Sequence, residues 1–306
     1  MKRFLMMILI GAMILVFGAC GTPAEDDGEN DGPEEQGASL QVSPEDWPVI
    51  DGATALAPYY EAMAAALLHL PIEEARQYVM CTTTDGAYQN LMNGTADMIF
   101  CALPSEDQVA QARGQGVEFE CTPILNGGFV FFVNKDNPVD SLTVEELHGI
   151  YSGEITNWKE VGGDDVEIIP YQRSEGSGSQ TGLYRYIISE DEVMDAPTEK
   201  KIADMGGIVD AVASYEDAAG AVGYSYYYYV ANMHYTDQIK LIGIDGVLPG
   251  DDTIADGSYP LISQSQVIIR SDEPEDSLLR EIIAWITSEE GQKLGEENGY
   301  VRNAKK

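Results

Sequence analysis

Between residues 47 and 101 the chain alternates short β-rich runs with helical ones, and this alternation restricts the fold more than any other feature. Trp47-Pro-Val-Ile50 leads through Asp51-Gly-Ala-Thr54 into an Ala- and Leu-rich helix from Pro58 to Leu70. Pro58 falls in the first turn, where a missing N–H costs nothing. Gln77-Tyr-Val-Met-Cys81 reads as a second strand, Thr82-Thr-Thr84-Asp-Gly86 as a loop, Ala87 to Met92 as a helix and Ala96 to Cys101 as a third strand. A βαβαβ order predicts an α/β fold with a parallel sheet. At two of the joints a Gly and a Thr stand before a helix, and ligands of such sheets gather at the C-terminal strand ends.

The same joint recurs at Glu167 to Ile188, in its richest form. A strand ending near Ile169 is followed by Arg173-Ser-Glu-Gly-Ser-Gly-Ser179 and then by an apolar-faced helix. Gly176 and Gly178 let the backbone turn and approach a ligand, Ser177 and Ser179 offer hydroxyls, and the first N–H groups of a helix point the same way. Arg173 adds a planar, permanently charged fork suited to an oxyanion. An ordinary Ser/Gly turn with an N-cap and a solvated arginine would read alike. Recurrence favours the site: Thr54, Thr84, Ser177 and Ser179 become candidates for one convergent anion-binding cleft.

Residues 1–20 read as a targeting segment, with Lys2 and Arg3 before the apolar run Phe4 to Phe17 and then Gly18-Ala19-Cys20-Gly21. The run is short for a bilayer span, which needs about 20 residues. Small residues before Cys20 resemble a bacterial lipoprotein signal, with Cys20 lipidated; a plain secretory signal is the alternative. Residues 21–39 hold seven acidic residues, no basic ones and almost nothing apolar, the composition of an extended, disordered tether. From about Leu40 to Lys306 the composition is globular. A formal net charge of −35, with no Lys/Arg cluster, excludes nucleic acid and anionic lipid head groups as partners. Any bound anion must be held by local donors against that field, which salt screens over about 8 Å. Cys81, Cys101 and Cys121 fit no zinc spacing and read as small core residues near strand ends; a Cys81–Cys101 bridge is the alternative.

Asn126-Gly-Gly-Phe-Val-Phe-Phe-Val-Asn134 reads as a crossing strand with a flexible entry, and Thr143 with Glu146 as a capping box. Tyr224-Ser-Tyr-Tyr-Tyr-Tyr229 could stack on a sugar or base, yet it follows a buried strand without basic neighbours and reads as core and lobe-edge packing. His69, His148 and His234 form no Ser-His-Asp pattern, and neither paired carboxylates with a base nor a Walker-type loop occurs. An enzyme is not expected, nor any cofactor or metal.

Phe129-Val-Phe-Phe-Val-Asn134, Ile150-Tyr-Ser-Gly-Glu-Ile-Thr-Asn-Trp158, Arg173-Ser-Glu-Gly-Ser-Gly-Ser179, Val222-Gly-Tyr224 and the closing stretch from Pro274 to Tyr300 resemble the PstS-like phosphate-binding component of bacterial ABC importers. The likeness runs from Ile50 to Val301. It implies a two-lobe type II periplasmic-binding-protein fold with mixed, mostly parallel sheets and two crossover strands. Lobe 1 would comprise residues 40–129 and 248–306, and lobe 2 residues 130–247. The family's binding positions fall on Thr54 (hydroxyl), Ala55 (backbone N–H), Thr84, Arg173, Ser177, Gly178 and Ser179. Where better-known members carry an Asp acceptor for a hydrogenphosphate proton, this chain has an apolar residue near Ala102. Asp85 could replace it, or could simply cap the helix at Ala87.

The expected function is an extracytoplasmic receptor, lipid-anchored to the outer face of a bacterial cell membrane and monomeric. It would bind inorganic phosphate and deliver it to an ABC permease and ATPase. Sulfate, molybdate or tungstate are alternative ligands, and a sensing or adhesion lipoprotein is an alternative role.

Overall fold

A computed structural model describes residues 40–196, 200–214 and 219–303. The signal, the tether and Cys20 therefore lie outside the described residues. The first strand, β1 (Ile50–Gly52), is followed by helix α1 (Ala57–Leu68), helix α2 (Thr83–Met92) and β2 (Met98–Cys101). β1 and β2 pair in parallel, Ile50 opposite Met98, and every residue of both strands is buried. Strands covered on both faces need apolar residues in unbroken runs, and Met98-Ile-Phe-Cys101 supplies one. α1 covers one face with Tyr59, Tyr60 and Met63, and both tyrosine rings pack on Phe100.

A 16-residue strand, β3 (Phe119–Asn134), then runs out of this first core into a second. Ile124 and Leu125 belong to the first core; Phe129 to Val133 form the middle of the second. Around the latter stand β4 (Ile169–Pro170), helix α3 (Gly178–Tyr186), helix α4 (Met205–Ala213) and β5 (Ala221–Tyr226). β6 (Ile262–Arg270) carries the chain back. The main sheet has eight strands, with β1-β2-β6-β3-β5-β4 in spatial order. Pairs in the helix-linked layers, β1/β2 and β4/β5, are parallel; those along the crossing strands β3 and β6 are antiparallel. The architecture is a mixed α/β fold of two lobes, each with its own core. The crossing strands slip register between Ser265 and Gln266, opposite Leu125 and Pro123, where a residue without N–H cannot extend the ladder. The double glycine Gly127-Gly128 lies just beyond, at the handover between cores.

Four local expectations change. Gln77 to Cys81 is no strand: Arg76–Tyr78 forms a 3-10 turn, and only Val79 bridges to Ile50. The indole N–H of Trp47 donates to the carbonyl of Tyr78 (3.0 Å), and the Met80 N–H to that of Ile50 (2.8 Å). α2 begins at Thr83, so Asp85 sits inside its first turn and does not cap a helix at Ala87. Cys81 is exposed, Cys101 buried and Cys121 intermediate, and all three are free thiols, so neither the bridge nor a core place for Cys81 holds. Finally, Ile254, Tyr259 and Leu261 pack into the second core although they follow residue 248.

Gly182 shows how tightly α3 seats on the second core: a Cβ there would lie 2.5 Å from the ring of Phe129. Overpacking of this kind costs about 1–3 kcal/mol. Gly182→Ala is expected to lower the urea unfolding free energy by that amount, and an unchanged midpoint would contradict this packing.

Candidate functional site

The site starts from Arg173, at the end of the short strand that follows β4. Its backbone N–H is shared by the Gln180 side-chain oxygen (2.9 Å) and the Tyr224 hydroxyl (3.0 Å), while Tyr224 also donates to Gln180. A glutamine from α3 and a tyrosine from β5 thus close the loop back on its own strand. The guanidinium is held on two edges by main-chain carbonyls, Nε to Ile202 (2.9 Å) and Nη2 to Ala203 (3.0 Å). Arg173 is only 4% exposed, forms no ion pair among the described residues, and its Nη1 is buried without a partner. Burial lowers its pKa from the ordinary value, with Tyr224, Asp204 and Tyr229 opposing. An arginine's ordinary value lies so high that the group stays a cation.

The loop beyond Arg173 turns at Gly176, whose φ of +74° favours glycine, and delivers Ser177 as the N-cap of α3. Ser177 Oγ accepts from the Gln180 N–H (3.2 Å), which leaves its own proton free to be donated. Ser179, one residue into the helix, is 2% exposed, and its hydroxyl is buried without a partner. One N–H edge of a buried cation and a buried hydroxyl, each without a partner and both on residues of one cleft, are costly unless something else occupies the space.

From the first lobe, Thr54 opens a 3-10 turn after β1; that turn bonds Leu56 N to Ala53 O, so the N–H groups of Thr54 and Ala55 lie outside it. Thr84 stands in the first turn of α2 and is buried. A carboxylate unremarked in the sequence shapes this wall. Asp51, fully buried on β1, accepts from the backbone N–H groups of Gly52 (2.7 Å) and Thr82 (2.9 Å), the Thr82 hydroxyl and the Asn90 amide (2.8 Å). It ties the entry of α2 to the strand end.

Thr54, Ala55, Thr84, Arg173, Ser177, Gly178 and Ser179, all expected at a site, line one cleft. The walls touch beside it. A Cβ on Gly178 would sit 2.7 Å from Thr84 Oγ1, and one on Gly176 would sit 2.8 Å from Asp85 Oδ1. These two glycines therefore serve close approach of the lobes as well as loop bending. Gln108 reaches across to the Gly176 carbonyl (3.4 Å) and Arg185 to that of Pro104 (3.0 Å). Ala102 also lines the cleft. Of the lining carboxylates, Glu175 accepts from the Tyr184 hydroxyl (3.0 Å) and Asp204 from the Gly207 N–H (2.7 Å).

The residues missed are Tyr226, Tyr227 and Tyr228, with Gln264 and Tyr300. Tyr224 and Tyr229 are buried, and Tyr226, Tyr227 and Tyr228 are half-buried against the two cores, as core and lobe-edge packing predicts; that the last three also line the cleft was not foreseen. Among the described residues no cluster of His, Cys, Asp and Glu has the geometry of a metal site.

A model of the PBP superfamily domain matches residues 45–290. The chain belongs to that superfamily. It is 25% identical over 308 residues to the phosphate-binding protein PstS of Bacillus subtilis, covering 98% of this chain and 94% of that protein. Against the PstS of Staphylococcus epidermidis identity is 28% over 310 residues, covering 97% and 88%. Among solved structures, a phosphate-bound protein from Clostridium perfringens superposes with a TM-score of 0.66 at 24% identity, covering 84% of this chain and 99% of that one. An ABC-type phosphate transport receptor from Vibrio cholerae gives 0.62 at 26%, covering 84% and 100%. Such family members are binding proteins.

Asp51→Asn keeps the shape but turns one acceptor into a donor facing donors. With several hydrogen bonds to a carboxylate at stake, unfolding in urea is expected to show a loss of about 2–3 kcal/mol. A loss below about 0.5 kcal/mol would show that Asp51 does not hold the α2 entry.

Proposed function

We propose that this chain is the extracytoplasmic substrate-binding protein of an ABC importer, taking up inorganic phosphate in the cleft between its lobes. The observation that carries the reading is Arg173, a buried cation held by carbonyls with one N–H edge unpartnered in that cleft. A small anion would supply the missing charge and accept from Arg173 Nη1, the hydroxyls of Thr54, Thr84, Ser177 and Ser179, and the N–H groups of Ala55 and Gly178. Support comes also from the phosphate-binding relatives named above.

Transport would follow from hinged closure. Lobe 1 (residues 40–129 and 262–306) and lobe 2 (130–261) each hold part of the donor set, so only an ion touching both stabilises the closed form. Gly127-Gly128 on β3 is the natural pivot. The segment 248–261 moves with lobe 2, because Ile254, Tyr259 and Leu261 pack there. The monomeric body hangs from the outer face of the cell membrane by a lipid on Cys20 and the acidic tether, and hands its ion to the permease that the ATPase drives. Ser177 donates a hydrogen bond and is not a nucleophile. Sulfate or another tetrahedral oxyanion is the competing ligand, since Ala102 offers no acceptor for a proton; the carboxylates on the lining are Asp85, Glu175 and Asp204.

Titration calorimetry is expected to show phosphate binding that Arg173→Ala weakens at least about 100-fold, the effect of losing one partner of a desolvated charge pair. Arg173→Lys should fall between, because an ammonium cannot keep both carbonyl bonds and the ligand edge. Absence of phosphate binding by the unaltered protein would overturn the proposal, and competition by sulfate, molybdate or tungstate ranks the ions.

A further inference from the structure

The cleft contains more than a tetrahedral ion can use. It holds about 230 Å³ of space, whereas five heavy atoms, each the size of a water, need roughly 50–75 Å³ on the same measure. The lobes already meet beside this space, where Thr84 faces Gly178 and Asp85 faces Gly176.

The wall around that surplus is aromatic. Tyr226, Tyr227, Tyr228 and Tyr300 line the cleft together with the donors. Three of the four have spent their hydroxyls on main-chain carbonyls: Tyr226 on Gly178 (2.8 Å), Tyr300 on Ala55 (2.8 Å) and Tyr228 on Asn298 (3.0 Å). Two of those carbonyls belong to residues of the anion loops themselves, so the rings adjoin the donors. Tyr228 and Tyr300 are stacked, with centroids 3.7 Å apart and planes at 11°. What Tyr226, Tyr228 and Tyr300 offer the cleft is therefore ring carbon, which neither a free oxyanion nor its hydration water can use.

We propose that this aromatic wall is a second subsite and that the cleft also binds organic phosphates, meaning phosphomonoesters or phosphonates with a small, flat, apolar substituent. The proposal rests on the reading of Arg173 and its neighbours as the oxyanion site. A monosubstituted phosphate keeps three free oxygens for Arg173, Ser179 and the remaining donors. In an ester the substituent takes the place of the proton, and in a phosphonate that of the whole hydroxyl, so the dianion asks for no acceptor and its substituent lies against the tyrosine rings. The Ala102 methyl on the cleft lining suits such a group better than a hydroxyl. No bond is made or broken.

The test is displacement calorimetry on the purified full chain with inorganic phosphate and phenyl phosphate. Phenyl phosphate is expected to displace phosphate with an affinity within about tenfold of it, and to be recovered intact. Tyr227→Ala is expected to lower the phenyl phosphate affinity by about tenfold relative to that for phosphate. If phosphate binds and phenyl phosphate fails to displace it at about 1,000-fold excess, the second subsite is overturned while the oxyanion reading stands. If neither binds, the oxyanion reading itself falls. A Tyr227→Ala protein that loses both ligands in equal measure, or release of phenol by the unaltered chain, would also overturn the subsite as stated.

Discussion

A buried cation without a counter-charge is the constraint on which the rest of this structure hangs. Arg173 is surrounded by protein, yet its partners are the carbonyls of Ile202 and Ala203 and no carboxylate. Carbonyl dipoles orient a guanidinium without neutralising it, and the cleft it shares with Asp85, Glu175 and Asp204 lies in a chain whose formal net charge is −35. Long-range attraction cannot bring an anion to such a protein. Short-range donors in a desolvated pocket can hold one, because screening dims the distant field far more than the contact interactions.

The same local logic explains the glycines. Gly176 and Gly178 sit where the arginine loop meets the first turn of α2, and side chains there would collide with Asp85 and Thr84. Bending the loop and letting the lobes touch are one requirement met by one pair of residues. On the other wall, Asp51 takes up the N–H and hydroxyl of Thr82 and so ties the start of α2 to the end of β1. Donors from the two lobes can meet around one small volume only because both walls are fastened to strand ends by short, charged or glycine-permitted contacts.

Tyrosines join the two halves of the site in a different way. Tyr226 and Tyr300 hold the carbonyls of Gly178 and Ala55, one from each donor loop, and show their rings to the space between. The residues that fix the donors in place thereby also set what the remainder of the cleft can accept.

The strand-helix alternation, the donor-rich joints and the crossing strand were legible in the sequence because each depends on neighbours along the chain: period, capping and glycine content. Thr143 with Glu146 forms the expected capping box, and Pro58 lies in the first turn of α1. Local patterns failed where a distant partner decided. Gln77 to Cys81 has β-forming residues, but the single bridge to Ile50 leaves it without a ladder. Tyr226 to Tyr228 look like the buried tyrosines beside them until β5 ends at the cleft. By itself, then, the sequence determined the α/β class, which follows from residue type and spacing, and its resemblance to a family pointed to residues that line one cleft. Only the tertiary structure decided that Arg173 would lack an ion-pair partner among the described residues, that Gly176 and Gly178 would face Asp85 and Thr84, and that four tyrosines would border the cleft, because each depends on groups far apart in the chain being brought within a few ångströms.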